Sequence, residues 1–159
     1  MPLTTNVRKD LRHCVQNRLR DNGIDEVYVQ DTPITEEQLS PGVYVSLPQK
    51  GPAETYRNTC SSERTHLGYR IQVTSVSGSI GAFNESDDDT PDIRQLCRRL
   101  FNDKRLDFTD GEMSDTGVVE LGCTVEHGEF DAADKDKDLS NWDITVMIVT
   151  CWVGETRTV

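Results

Sequence analysis

The chain has no long hydrophobic run, no closely spaced cysteine pair and no surplus of positive charge, and each absence removes a class of function. Its greasiest stretch is "WDITVMIVTCWV", Trp142 to Val153, where nine of twelve residues are apolar. A membrane-crossing helix needs about 20 such residues. A secretory leader would sit at the other end of the chain. Apolar residues make up only 35% of the whole and the net charge is −11. That pairing leans towards loops, disorder or an oligomer surface, although clear periodic segments argue against wholesale disorder. Excess negative charge also argues against sequence-specific duplex DNA binding, in which attraction to phosphate dominates. It leaves room for a protein past which DNA slides without sticking.

The five cysteines, Cys14, Cys60, Cys97, Cys123 and Cys151, are odd in number and contain no CxxC. Four fall at apolar-periodic positions, where reduced, core-filling thiols sit. With no leader apparent, a reducing cytoplasm is expected rather than a disulfide framework.

Motifs that carry chemistry are missing as well. "DKDKDLSN" (134–141) begins like a calcium loop, but that loop needs glycine at its sixth position and glutamate at its twelfth. Those places hold Leu139 and Thr145. "SVSGSIGA" (75–82) has glycines but no following GK[ST], so it fails as a phosphate loop. His13, His66 and His127 lack zinc-ligand spacing, and there is no GxSxG elbow. Cys60 and His66 share a polar loop, a common accident of composition. Most paired carboxylates lie in loops without an apolar pocket to raise a pKa. No catalytic residue, cofactor or metal site is expected, and the chain reads as a non-enzyme.

What is present is periodicity. At 159 residues the chain is expected to be one domain, 1–159, able to bury roughly two-thirds of its unfolded surface. Val7, Leu11, Cys14/Val15 and Leu19 follow helical spacing, with Thr4, Thr5 or Asn6 as N-cap and Asn22–Gly23 as the stop. "VYVQ" (27–30) and "GVYVSL" (42–47) read as short strands. Residues 48–64, rich in glycine, proline and polar side chains, read as a long loop or arm. "HLGYRIQVTSV" (66–76) alternates as a half-exposed strand.

A second helix follows, with Thr90 as N-cap, Pro91 at its first position and an apolar stripe of Ile93, Leu96, Cys97, Leu100 and Phe101. "GVVELGCTVEHG" (117–128) is a strand with Val119, Leu121, Cys123 and Val125 inward. In the closing strand both alternate sets are apolar, which is how a strand covered on both faces reads. The order α-β-β-β-α-β-β predicts an α+β domain: a mainly antiparallel sheet of about five strands with two helices packed on one face.

Charge is segregated. Ten of seventeen basic residues lie on the two helices and their ends, while the loops are acidic. The plain reading is solvated helix faces and solvated loops. The sharper one is a subunit whose acidic side meets the basic side of a neighbour. Under it the candidate contact residues are Lys50, Tyr56, Arg57 and Arg64 in the arm, Arg98 and Arg99 on the second helix, and Asp134, Asp136 and Asp138 in the acidic loop. Tyrosine and arginine are favoured interface anchors.

The succession "VYVQDTP", "PGVYVSLP", a polar excursion, "YRIQVTSV", "PDIRQLCRRLFND", two more strands and an apolar finish resembles the tail-terminator (tail-completion) family of long-tailed bacteriophages and related head–tail neck proteins. The likeness covers nearly the whole chain and is one of architecture. This chain departs from it in its length and in acidic insertions at 84–90 and 129–141.

The resemblance implies six-subunit rings that cap the tail tube and join it to the head, with partners in the tube protein and the neck connector. DNA would pass through an acidic channel without specific binding, and no membrane would be involved. It places the protein in the virion, assembled in the host cytoplasm. It also implies that ring neighbours or sheet curvature cover the second face of the closing strand. Two other readings stand beside it: a small cytoplasmic enzyme or ligand-binding α+β domain, and an acidic adaptor that mimics nucleic acid.

Overall fold

The structure, a computed structural model, describes residues 7–35, 38–48, 54–57, 64–77, 93–104, 118–129 and 143–156. Helix α1 (Val7–Asp21) buries Val7, Leu11, Cys14, Val15 and Leu19, the expected stripe. It ends as its sequence dictates. Gly23 adopts φ +98°, Gly23 N–H donates to Arg20 O (3.2 Å), and Ile24 N–H donates to Leu19 O (3.1 Å). That is a Schellman stop, which needs a residue at ease in the left-handed region. The N-cap residues of both helices lie outside the described residues.

Strands β1 (Val27–Val29) and β2 (Gly42–Ser46) come next, followed by β3 (Glu54–Arg57) and β4 (Arg64–Ser77). Helix α2 (Ile93–Phe101) then leads to β5 (Val118–His127) and β6 (Asp143–Thr156). The sheet runs β1-β2-β4-β6-β5, with β3 paired to β4 beside that path. The β1–β2 pair is parallel and the other pairs are antiparallel. The α+β, mainly antiparallel architecture is as expected, with one strand more.

That extra strand corrects the reading of 48–64 as a loop. Both β2 and β3 pair antiparallel with β4, one with its residues 72–76 and the other with 66–69. They are therefore collinear along one edge of β4. Glycine and two prolines hide the short "ETYR" strand, whose partner lies in the next segment of the chain. Tertiary pairing decides such a case, because β-propensity depends on context.

The pleat assigns faces. Val45, Val73 and Met147 are in register across three strands, as are Ile71 and Val149 with Val125, and Tyr69 and Cys151 with Cys123. Successive residues alternate in direction, so all of these share one face. Both helices pack there: α1 and α2 join these side chains in one core, with Ile93, Cys97 and Phe101 as the buried part of the α2 stripe and Leu96 and Leu100 at its margin.

The other face departs from expectation. β4 is not half-exposed, since Gln72 (2%) and Thr74 (0%) are buried, as are Val146, Ile148 and Thr150 on β6. Gln72 Nε2 donates to Thr74 Oγ1 at 2.9 Å, which satisfies the buried amide locally. Ile34 and Leu39, from the segment after β1, pack on Tyr44, Val76 and Ile144 in a second, smaller cluster. The face is crowded near Gly128, where an added Cβ would lie 2.7 Å from Val146 Cγ1. Burial of the closing strand on both sides thus arises within one chain, and ring neighbours are not needed for it.

Alternation in β5 is also interrupted. A bulge between Glu120 and Gly122 shifts the register, with Gly122 at φ +115°. Cys123 and Val125 keep the predicted inward phase, and the shift falls on their N-terminal side. The bulge places Gly122 opposite Trp152, and Gly68 flanks Trp152 from β4. Glycine on both neighbouring strands leaves room for the indole.

Candidate functional site

A sheet of this kind exposes three edges, because β2 and β3 share one side of β4 and β1 covers only β2. Each edge carries unpaired backbone groups that invite another chain. Two are partly covered from within. At β1, Val27 has its carbonyl on the outer side, where it accepts from Gln16 Nε2 (2.8 Å) and Arg20 Nη2 (3.0 Å). Those two α1 side chains are four residues apart, so they leave the same helix face together.

At β5 the cover is provided by the turn after α2. Asp103 N–H donates to Cys123 O (2.8 Å) and Cys123 N–H donates to Lys104 O (2.9 Å). Val125 N–H reaches Asn102 Oδ1 (3.3 Å). Asp103 sits at φ 58°, a conformation that aspartate tolerates better than most residues. The third edge belongs to β3. Among the described residues β3 pairs with β4 and nothing pairs with its outer side.

Tyr56 and Arg57 lie on that open strand, in register with Leu67 and His66, and Arg64 is the first residue of β4. These three arm residues are brought together by one hairpin. Lys50, Asp134, Asp136 and Asp138 lie outside the described residues. Arg98 and Arg99 are both exposed on α2, which packs over β5 and β6. They are thus two to three strands across the sheet from β3, roughly 10–15 Å at about 4.8 Å per strand. The arm and the α2 cations form two separate patches, not one site.

The basic helix faces are less uniform than their sequence implied. Arg12 is buried, and it donates to Gln30 O (2.6 Å), to Arg8 O (3.3 Å) and to Asp31 Oδ1 (2.9 Å). Arg18 donates to Leu100 O (2.9 Å), and its guanidinium lies 5.9 Å from the Phe101 ring centroid. With Arg20 on the β1 edge, three of the five α1 cations fasten the fold. Arg98 is engaged within the chain too, with Nη2 2.7 Å from His127 Nε2. The charge count did not reveal these roles, because each acceptor is a backbone carbonyl or a residue distant in sequence.

Among the described residues no group of three or more His, Cys, Asp or Glu side chains is arranged to hold a metal ion, and no helix is long and apolar enough to cross a membrane. No protein-family model matches the chain. A protein of the archaeon Methanocaldococcus jannaschii, described as uncharacterized, is 27% identical over 116 residues, which cover 68% of this chain and 55% of the relative. The chain thus spans about half the length of that relative.

Proposed function

We propose that the chain is a structural virion subunit, a tail terminator or neck-ring component that caps a tail tube, joins it to the head and lets DNA pass. The observation that supports it most is the β3 edge, which has no strand partner on its outer side among the described residues, while the chain itself covers part of the other two edges. An unprotected edge is costly to leave on a soluble protein. Here it coincides with the arm that carries Tyr56, Arg57 and Arg64.

In this reading the arm adds to a neighbouring subunit around a cyclic axis, the most direct way to satisfy a repeated edge without a filament. The ring is a hexamer, its partners are the tube protein and the neck connector, and its acidic loops repel duplex phosphates. Assembly takes place in the host cytoplasm and the product resides in the virion.

Sedimentation and electron microscopy of the purified protein, alone and with tail tubes, test this. Rings near six subunits that seat on tube ends are expected, and Tyr56→Ala with Arg57→Ala should reduce them. A chain that stays monomeric at high concentration and leaves tube ends bare would overturn the reading.

A further inference from the structure

We infer that Cys123 and Cys151 form a disulfide site: a dithiol built to close into a cross-strand bridge when it meets a low-molecular-weight disulfide. The two residues are 28 apart in sequence and in direct register on the antiparallel strands β5 and β6. Their sulfurs are 3.6 Å apart, and both residues are buried. Proximity alone is not sufficient, because antiparallel positions come in two types with different spacings.

Two observations fix the type. Cys123 directs both its N–H and its C=O outward, to Lys104 O and from Asp103 N–H, so neither faces β6. Further along, Gly128 N–H donates to Val146 O (2.9 Å) across the pair. Alternation from Gly128 makes the even positions of β5 hydrogen-bonded and places Cys123 among the non-hydrogen-bonded ones. At such positions Cα atoms are about 4.5 Å apart, inside the roughly 4.4–6.8 Å that a disulfide spans. The bulge at 120–122 stops short of this pair, so its register is regular.

The chemistry balances as thiol–disulfide exchange. Cys123, on the outer strand, loses its proton and attacks one sulfur of the small disulfide RSSR, releasing RS⁻ and leaving a mixed disulfide. Cys151 then loses its proton and attacks the Cys123 sulfur, releasing a second RS⁻. The protein dithiol is oxidised, RSSR is reduced to two RSH, and the two protons go to the departing thiolates. The pair stays reduced in a reducing cytoplasm and closes in an oxidising medium. Closure fastens the outer strand β5 to the central strand β6 and does not depend on the ring reading.

The folded, full-length protein is titrated with glutathione disulfide, and non-reducing peptide mapping, thiol counting and thermal melts are read together. Loss of two thiols, a Cys123–Cys151 peptide and a rise in Tm of about 5–10 °C are expected, all reversed by dithiothreitol. Cys123→Ala and Cys151→Ala should each abolish the bridge, and Cys14→Ala should leave it intact. Persistence of both thiols in the folded protein, a bridge to Cys97 instead, or a Cys123–Cys151 bridge that lowers Tm would overturn the assignment.

Discussion

Arg18 Nη1 donates to Leu100 O at 2.9 Å, joining the last turn of α1 to the last turn of α2 across 82 residues of sequence. The arginine supplies a cation where the carbonyls of α2 run out of partners, and its guanidinium lies near the Phe101 ring. Both arrangements are favourable there: the helix dipole is negative at that end, and a ring face attracts cations. Arg18→Met keeps the apolar stem and removes the donor. It should cost about 1–2 kcal/mol in urea melts, with little change in far-ultraviolet circular dichroism. A loss below about 0.3 kcal/mol would show that water replaces the contact freely.

Arg12 and Asp31 make an ion pair in which the two partners matter unequally. The Arg12 side chain is 5% exposed and that of Asp31 is 91% exposed, at 2.9 Å. Removing the carboxylate leaves Arg12 bonded to Gln30 O, and the lost attraction is screened by water. Asp31→Ala should therefore cost less than about 1 kcal/mol. Arg12→Met strands the Gln30 carbonyl and should cost about 2–3 kcal/mol. Equal losses would mean that the pair itself, and not the backbone tether, holds the 30–31 segment to α1.

Gly23 offers a test of backbone strain without packing. Its φ is +98°, and a Cβ built there meets no heavy atom within 4 Å. Gly23→Ala should destabilise by about 1–2 kcal/mol through conformation alone. The urea midpoint should fall while the slope m stays constant. An unchanged midpoint would mean that the α1 stop can relax into another turn.

Charge steering of assembly is tested at α2. Arg99 is exposed, and Arg99→Glu is the cleaner reversal, since Arg98→Glu also breaks the contact with His127. If the acidic loop of a neighbour meets this face, assembly should slow in the variant. It should also weaken as the Debye length falls from about 10 Å at 0.1 M to about 3 Å at 1 M salt. Asp134→Lys, Asp136→Lys and Asp138→Lys together should then restore it. Light scattering that rises equally fast at both salt levels, with and without the reversal, would leave these charges as solvated surface.

Local order was legible in the residues themselves. The α1 stripe from Val7 to Leu19, its stop at Gly23, the α2 stripe through Ile93, Cys97 and Phe101, and the two-sided burial of the closing strand all follow from period and cap chemistry acting within a few residues. So did the α+β class, since an element that buries one stripe must find a layer to bury it against. Tertiary structure decided the rest. "ETYR" became β3 because β4 had an unfilled edge, and Gln72 and Thr74 became buried on the face where Ile34 and Leu39 pack against Tyr44, Val76 and Ile144. Three of the α1 cations, Arg12, Arg18 and Arg20, found backbone carbonyls, and the turn after α2 covered part of the β5 edge. Each of these outcomes pairs groups far apart in sequence. Backbone donors and acceptors are the same at every residue, so only the assembled fold determines which of them meet.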